Sequence, residues 1–435
     1  MPATAFGGEL KMYYRQAMTG IRGAASPPVA TRLEESQAQP LTPSYWLLVV
    51  FIGLLYANLP LVFPASEVLH PAKILGGAGI LAVLHETFVR GKRFEVSWPD
   101  AAFLLAFFAA AALSCLTALW PGYAFEAVSN LIKMVIVYMF LVTCATTERA
   151  IQGVMWTMVV GGLAPALGTI KNFLQGNVQE GRAAWVGIFA NPNEVAYTLV
   201  ILLPLMVYLG GTRGWFARLA LLGTACIFLA AIFVTFSRGG LVGLVAALGI
   251  YAWRKRSVWF QAMLVAAIVG GLAFGAQYWS RQQDFSQLTQ DVSFQQRIAT
   301  SKAGIEMFID HPLLGVGIAC SVVAWPLYAP HDLYTRGALI THNTVIQALS
   351  ETGILGFIPF VLFIGAGIVH ARRLTRSEDE ATANMGAAIE ASLWGLVVCG
   401  MSGGYILTWF PYLLLGLAGA ARRVAETREE IDDTY

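Results

Sequence analysis

The chain has 435 residues, 57% hydrophobic and only 12% charged, about half the charged share of an ordinary soluble domain. With a mean hydropathy of +0.62, this excludes a soluble globular protein and requires an integral membrane one. The 28 Lys and Arg against 26 Asp and Glu leave a net charge of +2, which excludes a nucleic-acid binder held by bulk charge.

A spanning helix uses about 20 apolar residues, so a dozen leave room for termini and one large loop but none for a soluble catalytic domain. Any chemistry must therefore be done by helix ends and loops. Residues 1–44 are polar, with Pro27, Pro28, Pro40 and Pro43, and read as a cytoplasmic tail. The first apolar run starts too late, and is too long, for a cleavable signal peptide. Long apolar runs then predict spans near 45–63, 72–89, 101–120, 125–145, 151–171, 194–211, 215–236, 238–253 and 258–277, a hydrophilic loop over 278–343, and three more spans near 344–369, 385–403 and 405–421. The expected architecture is all-α with about 12 transmembrane helices: nine in 45–277, three in 344–421, and a second cytoplasmic tail at 422–435. The cysteines at 115, 144, 226, 320 and 399 lie mostly in apolar segments and suggest packing residues rather than a disulfide framework.

Placing both termini inside puts 19 of the 28 basic residues in inside segments, as the positive-inside rule requires. Arg182, Arg238, Arg297 and Arg336 then fall on the outer face, where basic residues need a local reason. Lys133 lies within the fourth span and either faces an internal cavity or snorkels outward.

Four polar motifs share that face. GRAAWVGIFANPNE, Gly181 to Glu194, carries an Asn-Pro-Asn helix start; a capped membrane helix accounts for the asparagines but not for Arg182. TFSRGG, Thr235 to Gly240, is a tight hairpin in which Gly239 and Gly240 permit a sharp turn and close backbone approach; Arg238 either serves a site or snorkels to headgroups. Phe294 to Gly317, FQQRIATSKAGIEMFIDHPLLGVG, predicts an amphipathic helix with Phe294, Ile298, Ile305 and Ile309 as its apolar set and Arg297 and Lys302 projecting elsewhere. Asp310, His311 and Pro312 end it, and Gly315 and Gly317 let the chain reverse; a helix lying on the bilayer is the alternative. Finally, ITHNTVIQALSETGILG, Ile340 to Gly356, enters the tenth span, with Thr341 or Asn343 as cap and with Asn343, Gln347 and Glu351 four apart on one face. An unpaired carboxylate there would cost about 2.5–3.5 kcal/mol, so an external arginine is the expected partner of Glu351. Together these groups fit an anionic substrate: arginine grips phosphate oxygens with a planar fork, and histidine takes a proton near neutral pH.

The ordered set resembles the bacterial O-antigen ligase and polymerase superfamily. HNTVIQALSETGILG is similar to the family's His-Asn segment with its Glu-x-Gly-x-x-Gly, and GIFANPNE, TFSRGG and the Arg297 helix ending in DHPLLGVG precede it in family order. The resemblance implies a glycosyltransferase of the GT-C kind in the bacterial inner membrane, with one large periplasmic loop. Its donor would be a glycan on undecaprenyl pyrophosphate, and its acceptor a sugar hydroxyl of lipid A–core oligosaccharide. It implies no cofactor and no metal; His331 and Asp332 alone are too few for a metal site. His342 is then the general base, Arg238, Arg297 and Arg182 the pyrophosphate ligands, and Asn343, Glu351 and Lys302 supporting groups, with inversion at the anomeric carbon. An O-antigen polymerase with the same donor remains open, as does a multi-spanning anion or solute transporter, for which Lys133 is the best argument. Whether Arg336 joins the site, which sugars are used and the oligomeric state are not legible.

Overall fold

A computed structural model describes residues 40–63, 70–179, 181–255, 261, 292–330 and 341–433. Described residues 41–425 form one compact unit; a second unit takes in the last turns of the final helix. The elements are α1 (Pro43–Ala57), α2 (Pro71–Phe88), α3 (Asp100–Ser114), α4 (Pro121–Cys144), α5 (Glu148–Leu174), β1 (Val178–Gln179), β2 (Arg182–Ala183), α6 (Pro192–Gly211), α7 (Trp215–Val234), α8 (Arg238–Lys255), α9 (Val292–Asp310), α10 (Ser321–Tyr328), α11 (Thr344–Leu374), α12 (Glu380–Gly400) and α13 (Trp409–Asp433). Of these, α4, α5, α6, α7, α11 and α12 are long and apolar enough to cross a membrane. The chain is an all-α, multi-pass membrane protein.

Polar residues at the starts set the helix boundaries. Thr42, Thr147, Asn191, Asn343 and Asp379 each accept a backbone N–H in the first turn of α1, α5, α6, α11 and α12, satisfying donors that a helix leaves orphaned. Pro43 and Pro192 occupy first positions that need no N–H. The expected first span, 45–63, is interrupted: α1 ends where Asn58 turns left-handed at φ 47°, and its amide donates to Val186 O at 3.0 Å. The expected span at 258–277 lies outside the described residues, except for Gln261, as do His331, Asp332 and Arg336.

The centre of the bundle is α6, buried along nearly its whole length from Asn193 to Met206, with α5, α7, α8 and α12 packed around it. Close approach relies on small residues: a Cβ on Gly240 would stand 2.6 Å from Ala196 Cβ, and one on Gly395 2.9 Å from Ala247 Cβ. On the other side α11 packs on α3, α9 and α12. Lys133 is exposed on α4 and donates to Asn130, one turn back, at 2.7 Å, so it faces away from the bundle interior.

The helix α11 is broken. Gly353 has φ 58° and ψ −165° inside it, freeing backbone groups that a membrane interior cannot leave unbonded. The segment after α9 takes them up: Val316 N donates to Ser350 O at 2.9 Å, while Ile354 N and Leu355 N donate to Pro312 O and Leu313 O at 2.9 and 3.3 Å. Such contact requires glycine on both sides. A Cβ on Gly315 would lie 2.5 Å from the Glu351 carbonyl carbon, and one on Gly353 would collide with the Leu313 backbone.

Candidate functional site

Arg182 has a built setting. The short β1–β2 hairpin, with Gln179 opposite Arg182, delivers its side chain to the junction of α6 with the α7–α8 turn. Its Nε donates to Thr235 O at 2.9 Å and its Nη2 to Asn193 Oδ1 at 2.6 Å. The same Asn193 oxygen accepts from Ser237 Oγ at 2.8 Å. The Asn-Pro-Asn motif thus does two jobs: Asn191 caps α6, while Asn193 ties GRAAW to TFSRGG. In the turn itself Phe236 holds the left-handed conformation at φ 48°, so the expected sharp bend is not made by Gly239 or Gly240. Gly239 serves close approach instead, since a Cβ there would stand 2.6 Å from Tyr197 Oη and 2.7 Å from Ser402 Oγ. Arg238, the first residue of α8, is exposed beside it.

Arg297 reaches the same region from α9. Its Nη1 donates to Ser402 Oγ at 2.6 Å, and Tyr197 Oη donates to Ser402 O at 3.0 Å. Ser402 therefore joins α9, α6 and the turn between α12 and α13. The α9 face differs from expectation. Ala299, Ala303 and Met307 are buried while Ile298, Ile305 and Ile309 are exposed. A Cβ on Gly304 would lie 2.6 Å from Ile346 Cγ2; the seam with α11 is too tight there for a side chain, and the isoleucines face outward. Phe294's side chain lies outside the description. Lys302 is exposed, and five residues beyond Arg297 it points about 140° round the helix; it is not brought to the site.

Glu351 is buried, with 1% exposure, but its expected arginine partner is corrected by the structure. The carboxylate accepts from Ser321 Oγ at 2.5 Å, Ala319 N at 2.9 Å and Gln347 Nε2 at 3.3 Å. Gln347 is one turn back on α11 itself, while Ala319 and Ser321 come from the loop and the start of α10 that follow α9, so Glu351 ties that segment to α11 rather than holding a guanidinium. Asn343 caps α11 through Val345 N and Ile346 N at 2.9 and 3.2 Å and donates to Met401 O at 3.4 Å. It fixes where α11 begins relative to the 401–408 turn, and so where His342, one residue earlier, stands.

His342 is half-buried. Burial, then the charge of Arg297, then that of Arg182, lower its pKa from the usual 6.5. All three disfavour the imidazolium, so the ring is a neutral proton acceptor at neutral pH. Two arginines thus act electrostatically on one imidazole although their motifs lie 115 residues apart in the chain. The arrangement can bind an anion and accept a proton beside it.

Ser402, Tyr197 and Ser237 escape a reading by motif. Tyr197 sits in an apolar run, Ser237 lies inside TFSRGG without standing out in it, and the partners of all three come from distant elements; for Ser402 the available signal is the polar GMSGGY stretch, Gly400 to Tyr405, between two apolar helices.

Residues 223–361 match the family model described as O-antigen ligase. The matched segment contains Arg238, Arg297, His342, Asn343 and Glu351, whereas Arg182 precedes it. No curated protein matches the chain.

Proposed function

Residues 223–361 identify this chain with the O-antigen ligase superfamily, and from that premise we propose that it moves O-antigen glycan from undecaprenyl pyrophosphate to a sugar hydroxyl of lipid A–core oligosaccharide. The observation that carries the reading is the placing of Arg182 and Arg297 within electrostatic reach of His342, whose pKa burial first and then both arginine charges lower. In the proposed reaction the acceptor oxygen attacks the anomeric carbon and its proton passes to the His342 imidazole. The bond from that carbon to the pyrophosphate oxygen breaks, the electron pair leaves with the pyrophosphate, and configuration inverts. Arg297, Arg238 and Arg182 stabilise the leaving charge, the work a metal does in other transferases, so the proposed reaction needs no metal or cofactor. Asn343 and Glu351 act indirectly, by setting the start of α11 and the loop braced against its break.

The proposed frame is a GT-C-like one of about 12 spans in the bacterial inner membrane, both termini cytoplasmic and the site on the periplasmic side. The distribution of basic residues supports that orientation. Polymerisation of lipid-linked glycan is the second reading, since the family match serves ligase and polymerase alike. Transport is favoured less: Lys133, its best argument, bonds within its own helix on an exposed face.

The test is transfer by purified protein given an undecaprenyl-pyrophosphate glycan and lipid A–core in the presence of chelator. Glycan on lipid A–core supports the ligase; elongation of the lipid-linked glycan alone means a polymerase. No transfer by folded protein with authentic substrates overturns both.

A further inference from the structure

The turn between α12 and α13, residues 401–408, carries polar groups that the reaction above does not use. Among the described residues, three buried oxygens in or against it, Tyr405 Oη of the turn, Glu194 Oε2 of α6 and Gln347 Oε1 of α11, meet no hydrogen-bonding group of the protein. Buried polar atoms are nearly always bonded, so three in one neighbourhood require a reason.

Their placement follows from contacts already described. Glu194 lies one turn before Tyr197 on the same face of α6, and Tyr197 meets Ser402, the residue that holds Arg297. The rings of Tyr197 and Tyr405 pack edge to face with centroids 5.5 Å apart. Two glycines let the chain pass close by these oxygens: a Cβ on Gly403 would stand 2.8 Å from Tyr405 Oη, and one on Gly404 2.6 Å from Gln347 Oε1. Tyr405 is within electrostatic reach of both Glu194 and Arg297. Gly404 and Glu194 as whole residues are only partly covered, so the three buried oxygens lie close beneath the surface on the Arg297 side.

The chemistry selects the ligand. A carboxyl and an amide oxygen are acceptors, and a phenol adds one donor; none brings the positive charge that holds a pyrophosphate. Hydroxyl groups suit all three. We propose that Glu194, Gln347 and Tyr405 form a sugar-hydroxyl subsite beside Arg297, engaging the glycan where it is joined. This rests on the glycan-transfer reading and names the part of the substrate that Arg297 does not hold.

Because these oxygens are unbonded in the protein alone, removing them breaks no internal hydrogen bond. Glu194→Gln and Tyr405→Phe are therefore expected to keep the wild-type Tm, and if one fails to fold the other carries the test. Binding is measured in nanodiscs for undecaprenyl pyrophosphate with and without its glycan, together with the acceptor KM. The expected result is about a tenfold weaker Kd for the glycan-bearing lipid, with the sugar-free lipid bound as before; that assigns the subsite to the donor sugar. Unchanged donor binding with a tenfold higher acceptor KM assigns it to the acceptor sugar and equally supports the proposal. Equal weakening of both lipids overturns it, placing Glu194 with the pyrophosphate clamp. No change in any constant also overturns it and leaves the oxygens to internal solvent. If wild-type protein binds the glycan lipid but transfers nothing, the transferase reading fails while the binding comparison still decides the subsite.

Discussion

The two ends of the helix bundle handle charge in opposite ways. At the end away from His342, carboxylates take the side-chain donors: Arg254 grips Glu390 through two bonds of 2.7 and 2.6 Å, Lys92 stands 3.6 Å from Glu86, and the His370 ring Nε2 lies 2.6 Å from Asp100. At the His342 end, the hydrogen bonds of Arg182 and Arg297 go to neutral oxygens of Thr235, Asn193 and Ser402. A carboxylate cancels a guanidinium's charge, whereas a neutral oxygen orients the group and leaves its charge to act elsewhere. One end ties charged side chains of different helices to each other; at the other, Arg182 and Arg297 are oriented by neutral oxygens within electrostatic reach of His342.

Several substitutions probe that contrast. The largest effect is expected from His342→Ala, which removes the proton acceptor and should lower the transfer rate by about 10²–10⁴-fold with membrane insertion intact. Normal glycan attachment by this variant, measured against the amount of folded protein, would end its assignment as base. Arg297→Lys keeps the charge and loses the planar fork; about a tenfold loss of donor use is expected, and unchanged use would make Arg297 a structural anchor. Ser402→Ala frees Arg297 from its tether at the cost of about one hydrogen bond, so a roughly fivefold drop in kcat/KM is expected with the charge still in place.

At the opposite end, Glu390→Gln should invert the pattern. It leaves Arg254 facing a neutral group in a largely buried pair, so stability should fall by about 3 kcal/mol while the kcat of the surviving folded protein stays at the wild-type value. Loss of turnover without loss of stability would show that the two ends do not divide the work as described.

The pH profile sharpens the same comparison with the smallest effect. His342 has a lowered pKa in the folded protein, so the base stays neutral through pH 7 and transfer should fall away only as the pH drops through a value below 6.5. In that window the unfolded chain binds more protons, so this histidine's contribution to stability rises with pH. Arg182→Gln removes one of the two charges that lower the pKa and should move the acid limb of kcat upward. An unmoved limb would mean that the limb belongs to another group.

Much of this protein was legible in the chain order alone. Low charge and long apolar runs require a multi-pass membrane protein because hydrocarbon excludes unpaired charge and unbonded backbone. Asn191 and Asn343 mark helix starts because a short side-chain oxygen meets the orphaned first-turn donors wherever it sits. The glycines of DHPLLGVG foretold a chain reversal, and Gly315 and Gly317 do adopt left-handed φ values of 68° and 104°. All of these are local rules, and neighbours in sequence suffice to apply them.

What needed the folded chain was the choice of partner. The isoleucines of α9 form a helical stripe, yet the α11 seam accepts only the alanine side. Glu351 invited an arginine but accepts from Ser321 and Ala319, because the break at Gly353 draws the 312–321 loop against it. Arg297 found Ser402, 105 residues away, in a turn whose sequence carries no charge to announce it. Periodicity and capping are set within a few residues, whereas a buried polar group bonds whatever the packing of distant helices brings within about 3 Å, and only the tertiary structure decides that.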